Sequence, residues 1–317
     1  MKSLTLPSQF KFVDLIALAR RGKFDPQIFL EPLDLDLKNL EFAGVCAMAG
    51  IKALIAWGQH KQPPGCCLNL QHQNQSAVQY LSYLDFFTPE IYWCQTPPAE
   101  VGQRGTADGR FFRIRCLRDQ WETAGVAGDL LNCFQLRKSP AGETIRYGVS
   151  ELVDNALQHS ECLTGTYVAA QYFPRLNTIN TVIADTGVGI RAHLSRHPNY
   201  RGLADDLEAL RIALTPNVTG SYISSAGEAN QQNAYENQGI GLSVTNHIAK
   251  KSGGVLYVWS GTALYRSNAG LERMPVAWPG TVVFLSLPSG VAVDYMGIIS
   301  EIHIPLRKRR IKLHFDT

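Results

Sequence analysis

The chain lacks a strong charge of one sign. Lys and Arg number 30 and Asp and Glu 27, a net charge of +3 over 317 residues. A surface so nearly balanced does not argue for nucleic acid as a partner. The one basic cluster, Arg307-Lys308-Arg309-Arg310, reads as the solvated end of a C-terminal strand. Long hydrophobic runs are missing too. The most apolar stretch, Phe42 to Trp57, is interrupted by Lys52 and is too short to span a bilayer. The N-terminus shows no apolar core of a secretory signal. None of the seven cysteines forms a C-x-x-C pair, and no Cys/His spacing fits a zinc site. Their odd number and scattered placement read as reduced, mostly buried thiols, so a soluble, cytoplasmic protein is expected, with no membrane partner. Two familiar phosphate cradles are also missing: no Gly-Lys-Ser/Thr P-loop occurs, and no G-x-G-x-x-G follows a strand.

What is present is enough for a core. Hydrophobic residues make up 45% and charged residues 18% of the chain, and its length suggests two domains of about 150 residues each. In the first, Ser3–Pro7 reads as a strand and Phe12–Arg20 as a helix. Leu33–Leu37, with Asp34 and Asp36 alternating, suits a strand near a sheet edge. Gly44–Trp57 reads as a helix whose Ala and Gly residues permit close packing on a sheet. A short strand at Cys66–Leu70 and a helix at Asn74–Phe87 follow, giving a small α/β layer. Pro97 to Gly109 is rich in Pro, Gly and Ala and reads as a linker.

The second half holds a strand at Phe111–Leu117, a helix at Trp121–Leu136 and a break at Lys138–Gly142. An amphipathic helix then runs from Glu143 to Ser160. Its apolar stripe is Ile145, Val149, Leu152, Val153, Ala156 and Leu157, at the spacing of one helical face. The other face carries Glu151, Asp154, Asn155, Gln158 and His159. Glu151 and Asn155, four apart, project from one side. An asparagine oxygen is a hard neutral ligand suited to a hydrated Mg2+ that also binds phosphates, and a nearby glutamate can orient or deprotonate a water. Strands Thr166–Phe173 and Thr178–Ala184 lead into Asp185-Thr186-Gly187-Val188-Gly189-Ile190, where the glycines permit close backbone approach to a ligand. An aspartate at a strand end can accept from an exocyclic amine such as that of adenine. A helix at Ala204–Leu214 precedes a long polar segment, Pro216–Glu236, that suits a lid. Asn237-Gln238-Gly239-Ile240-Gly241 opens a helix at Leu242–Lys251, and free N–H groups at a helix start favour an anion. Strands are read at Val255–Ser260, Ala263–Arg266 and Thr281–Leu287.

In order, Glu151-Leu152-Val153-Asp154-Asn155-Ala156-Leu157-Gln158-His159, Asp185-Thr186-Gly187-Val188-Gly189-Ile190, Asn237-Gln238-Gly239-Ile240-Gly241-Leu242 and Gly280-Thr281-Val282-Val283-Phe284 resemble the N box, G1 box, G2 box and closing strand of the GHKL ATPase superfamily. The resemblance spans roughly residues 120 to 290. It implies a fold of helices packed on a mixed sheet, with ATP and Mg2+ as cofactors. It further implies that Asn155 ligates Mg2+, that Glu151 is the water-activating base and that Asp185 binds the adenine amine, directly or through a water supported by Thr281. Gly187 and Gly189 would shape the base pocket. Asn237, Gly239 and Gly241 would belong to the phosphate-binding turn, and His193 to Glu236 would form the lid.

The order of elements in residues 1–115 resembles the STAS fold of anti-anti-sigma factors, which implies a regulatory or docking region for a protein partner. The segment Leu40–Gly44 holds no Ser or Thr where that family carries its phosphorylated serine. The division expected is therefore 1–115 STAS-like, 116–290 ATP-binding and 291–317 a C-terminal extension. Trp121 to Gly142 contains no histidine, so an autophosphorylating histidine kinase is not expected. An ATPase switch, a serine/threonine kinase of the anti-sigma type and a nucleotide-gated binding module remain open. A partner would be met through the N-terminal region or the lid.

Overall fold

The computed structural model describes residues 2–63, 66–67, 74–88, 91, 109–216 and 241–301. In the N-terminal part, strands β1 (Lys2–Thr5), β2 (Gln9–Phe10), β3 (Leu33–Asp36), β4 (Phe42–Ala43) and β5 (Cys66–Cys67) alternate with helices α1 (Phe12–Arg20), α2 (Val45–Lys61) and α3 (Gln75–Tyr83). The order β1-β3-β5 is parallel throughout, so β3 is the central strand and not the edge strand its alternating acids suggested. Asp36 is accommodated by nearby donors, whereas Asp34 Oδ1 is buried without a described hydrogen-bond partner. Asp36 accepts from the Thr5 hydroxyl at 3.1 Å and from the Lys38 N–H at 3.0 Å.

Helix α2 is buried at every position from Val45 to Gly58, as expected of a helix that is apolar all round. Its small residues let it approach other backbones closely: at Gly58 a Cβ would overlap the Phe29 carbonyl. Even Lys52 is 1% exposed, and its ammonium donates to the Asp85 carbonyl at 2.7 Å. That bond ties α2 to the turn after α3, where Asp85 adopts φ +57 and ends the helix short of Phe87.

The second part follows as β6 (Phe111–Leu117), α4 (Thr123–Cys133), α5 (Gly142–His159), β7 (Thr166–Phe173), β8 (Thr178–Ala184), α6 (Gly189–Leu194), α7 (Asp206–Ala213), α8 (Gly241–Ser252), β9 (Val255–Arg266) and β10 (Gly270–Pro288). Its five strands run in the order β6-β7-β8-β10-β9. Every neighbouring pair is antiparallel, so the expectation of a mixed sheet is corrected. The β7–β8 and β9–β10 connections are short hairpins, which only antiparallel neighbours can use. Helix α4 ends at Cys133, before Leu136, because Gln135 turns to φ +58. The strands read separately as 255–260 and 263–266 are one, since β9 continues through Gly261 and Thr262. Strand β10 starts at Gly270, eleven residues before the expected Thr281, and absorbs Pro275 and Pro279 where its register against β9 shifts.

Both faces of this sheet are buried. Val168, Ala170, Ile183, Val258, Val283 and Leu285 point to a core shared with α4, α5 and α8. Tyr167, Ala169, Val182, Ala184, Trp259, Val282 and Phe284 point to a core shared with α1 and α2. The period-two alternation along each strand sorts residues to the two sides. The small residues noted in α2 thus pack on the central sheet itself, against β7 and β8. Residues 289–301 close over the helix layer. Ile298 is buried there, and the Thr144 hydroxyl both donates to the Val293 carbonyl (3.1 Å) and accepts from its N–H (3.2 Å). No helix among the described residues is long and apolar enough to cross a membrane.

Candidate functional site

The apolar stripe of α5 is buried as its spacing requires, with Leu157 only partly so. Its opposite face is not an open surface. Glu151, Asp154, Asn155, Gln158 and His159 are all half-buried, because the start of α8 and helix α6 lie against them. At Gly241 a Cβ would overlap the Glu151 carboxylate, so the α8 backbone lies directly against the glutamate and a side chain there would displace the carboxylate. Burial pushes the Glu151 carboxyl up to about 7. The Tyr147 hydroxyl, one turn away, opposes that rise, and Asp154 adds to it. A carboxyl near neutrality is a group that can take up a proton. Tyr147 itself is stacked on Tyr295 of the C-terminal segment, with ring centroids 4.6 Å apart and 22° between planes.

Asp185 ends β8 and is 3% exposed. Its main chain is gripped from both sides: its N–H donates to the Thr281 carbonyl at 2.9 Å, and its carbonyl accepts from the Trp278 indole at 3.0 Å. Carboxylate Oδ1 accepts from the N–H groups of Gly187 (2.9 Å) and Thr281 (3.3 Å). No described group donates to Oδ2, which leaves one carboxylate oxygen for an outside donor. Burial raises this carboxyl to about 7 although the two N–H donors favour its charged form. Thr281 therefore supports Asp185 through its main chain. Its hydroxyl instead donates to Ser260 Oγ at 3.1 Å. Ser260 in turn accepts from the Ile190 N–H (3.0 Å) and donates to the Gly280 carbonyl (2.8 Å), which uses its one donor and both acceptor sites.

Three glycines are required by this geometry. At Gly187 a Cβ would overlap the Ser160 carbonyl at the end of α5, and the next residue, Val188, donates to that carbonyl at 2.8 Å. Gly189 has φ +74 and packs on Gly280. Gly280 has φ +88, and a Cβ on it would stand 2.5 Å from Asp185 Oδ1 and 2.5 Å from the Gly187 nitrogen. Backbone from the G1 loop, α5 and β10 thus meets around one carboxylate.

Asn155 lies one turn beyond Glu151 on the same face. Among the described residues no group of three His, Cys, Asp or Glu side chains could hold a metal ion. A single carboxamide nevertheless fits a cation that keeps its waters and arrives with phosphates. Asn237 and Gly239, and the lid residues from 217 to 236, lie outside the described residues, as do the linker residues 97–108 and the basic run 307–310. The described start of the lid segment holds α7, matching the helix expected at 204–214.

Sequence reasoning gave no role to Ser260, Trp278 or Tyr147, and placed Gly280 and His193 only within the closing-strand motif and the lid segment. Only Gly280 carried a signal, as a glycine directly before the closing strand. His193, on α6, lies against His159 with centroids 4.4 Å apart and the rings tilted by 38°, and both of its ring nitrogens are buried without a hydrogen-bond partner. Burial keeps both imidazoles neutral, and His159 is pushed down to about 4, with His193 adding to the effect. A cleft of about 400 Å3 lies beside the G1 loop, lined by Gly187 to Ala192, Asp206, Ser260 and the Trp278-Pro279-Gly280 bulge. It does not include Asp185, Glu151 or Asn155, so it borders the constellation and does not contain it.

Comparison with curated proteins and with solved structures gave no match. The family described as histidine kinase-, DNA gyrase B- and HSP90-like ATPase matches residues 142–290, so this part of the chain is similar to GHKL-type ATP-binding domains.

Proposed function

We propose that the protein is an ATP/Mg2+-binding switch of the GHKL type whose domain hydrolyses ATP. The observation that carries this reading is Asp185. It is a buried carboxylate held by two main-chain N–H groups on one oxygen, with the other oxygen free to accept from an exocyclic amine. Asn155 would ligate Mg2+, which supplies charge neutralisation of the phosphates. The α8 N-terminus at Gly241 would present N–H groups to the same phosphates, with Asn237 and Gly239 ahead of it. Glu151, raised to about 7 and set against Gly241, would take a proton from an attacking water.

The N-terminal region is read as STAS-like and as the partner-facing part of the protein. Its parallel β1-β3-β5 sheet with helical crossovers supports an α/β layer of that kind.

Incubation with γ-labelled ATP tests the reading. Wild type is expected to release labelled phosphate. Glu151→Ala should bind nucleotide and release none, and Asp185→Asn should bind poorly. Label transferred to a second protein from lysate would turn the assignment to a kinase. Bound but intact nucleotide would turn it to a binding module, and no binding at all would end it.

A further inference from the structure

Trp278 is 1% exposed and sits at the irregularity of β10, between two register shifts. Its indole N–H donates to the carbonyl of Asp185, and its ring lies beside Trp259, with centroids 5.4 Å apart. The far edge of the ring faces α2. A Cβ on Gly50 would stand 3.4 Å from Trp278 Cη2, in ordinary van der Waals contact, so a side chain larger than alanine there would press on the indole. Leu15 of α1 lines the same spot. The sheet residues around it, Ala184, Trp259 and Val282, belong to the core that α1 and α2 build.

We propose that Trp278 is a positioning residue for nucleotide binding, and that through it the N-terminal layer sets the geometry of Asp185. The indole belongs to the core on the α1–α2 face of the sheet and reaches the Asp185 main chain from there, while Oδ1 of the carboxylate is held by the Gly187 and Thr281 N–H groups. A hydrogen bond to a buried carbonyl fixes where that carbonyl lies. The two N–H groups that orient Oδ1 come from Gly187 and Thr281, on either side of the same junction. Displacing α2 displaces the indole, and the indole carries Asp185 with it. Coupling of this kind is reciprocal: a nucleotide on Asp185 stabilises the packing of α2 on the sheet, and a partner that shifts α2 changes nucleotide affinity. The inference rests on the assignment of Asp185 to the adenine amine.

The experiment is a double-mutant cycle on the full chain, read by the Kd of a fluorescent ATP analogue with Mg2+ and by the melting temperature of each variant. Trp278→Phe keeps an aromatic ring but removes the donor and Cη2. Its Kd should rise about five- to tenfold, the equivalent of one lost hydrogen bond. Gly50→Val touches no residue of the nucleotide site, yet it pushes on the indole and should weaken binding by a similar factor. In the Trp278→Phe background, where the atom it strikes is gone, Gly50→Val should have little further effect. Wild-type Kd in both single variants overturns the proposal, and so do two losses that simply multiply. If Trp278→Phe does not melt cooperatively, Gly50→Val decides alone, and an unchanged Kd there overturns it. Failure of the wild type to bind the analogue would instead remove the reading of Asp185 itself.

Discussion

Gly280 offers the sharpest separation between a conformational and a steric requirement. Gly270 and Gly280 share a φ of +88, but a Cβ on Gly270 would meet nothing within 4 Å. A Cβ on Gly280 would stand 2.5 Å from Asp185 Oδ1, 2.5 Å from the Gly187 nitrogen and 2.7 Å from the Asp185 carbonyl oxygen. Alanine at either position carries the cost of left-handed backbone, about 1–2 kcal/mol, which lowers the melting temperature by about 2–4 °C in a chain of this class. Only at Gly280 must the G1 loop also give way, by something approaching 1 Å to restore van der Waals distance. The Thr281 N–H to Asp185 Oδ1 bond, already 3.3 Å, does not survive that shift. A hydrogen bond to a charged group contributes about 1.5–3 kcal/mol, so nucleotide affinity should fall about 10- to 100-fold. The assay is calorimetric titration with an ATP analogue and Mg2+, beside thermal melting. Gly270→Ala should melt lower and bind normally. Gly280→Ala should melt lower still and bind poorly. Equal melting losses with unchanged binding in both variants would refute the reasoning.

Two further outcomes are expected. Asp185 has its carboxyl raised from the ordinary aspartate range to about 7 by burial. Between about pH 4 and about pH 7 the folded protein therefore holds a proton that the unfolded chain has released, and its stability falls as pH rises through that window. Asp185→Asn removes this slope, so its advantage in melting temperature over wild type should be larger at pH 8 than at pH 5. An equal difference at both values would show that the carboxyl titrates normally. Tyr295, stacked on Tyr147 beside Glu151, ties the C-terminal segment to the proposed base. Tyr295→Ala should lower kcat for ATP hydrolysis about two- to tenfold at unchanged KM, and Tyr295→Phe should retain it. Equal kcat in the alanine variant and wild type would count against that tie.

The legibility of the fold in the sequence varied with how local each determinant is. Helix α5 was readable to within a residue at each end because its stripe, Ile145 to Ala156, has one strong period and a clear break before it. Helix α1 was equally clear. The first eleven residues of β10 were missed because Pro275, Pro279 and Gly280 are breakers in any local reading. In the structure they fall where the register against β9 shifts, and pairing with β9 at Arg273, Trp278 and Thr281 keeps the chain extended. The end of α3 was misjudged for a comparable reason: Asp85 leaves the helix with φ +57, and its carbonyl accepts from Lys52, a residue 33 positions earlier.

The sequence by itself determined the elements of the site and their order. Glycines that no other residue could replace, a carboxylate at a strand end and a polar face on one helix are all set by residue type and spacing. Tertiary structure alone decided what surrounds them. It partly buried Glu151 and Asn155 and enclosed Asp185. It turned the Thr281 hydroxyl to Ser260, and it placed Trp278 between α2 and the aspartate. The physical reason is that burial and hydrogen-bond partners are non-local. Spacing along the chain says which side of a strand or helix a group occupies, but what covers that side comes from residues remote in sequence, 93 positions away for Trp278 and Asp185.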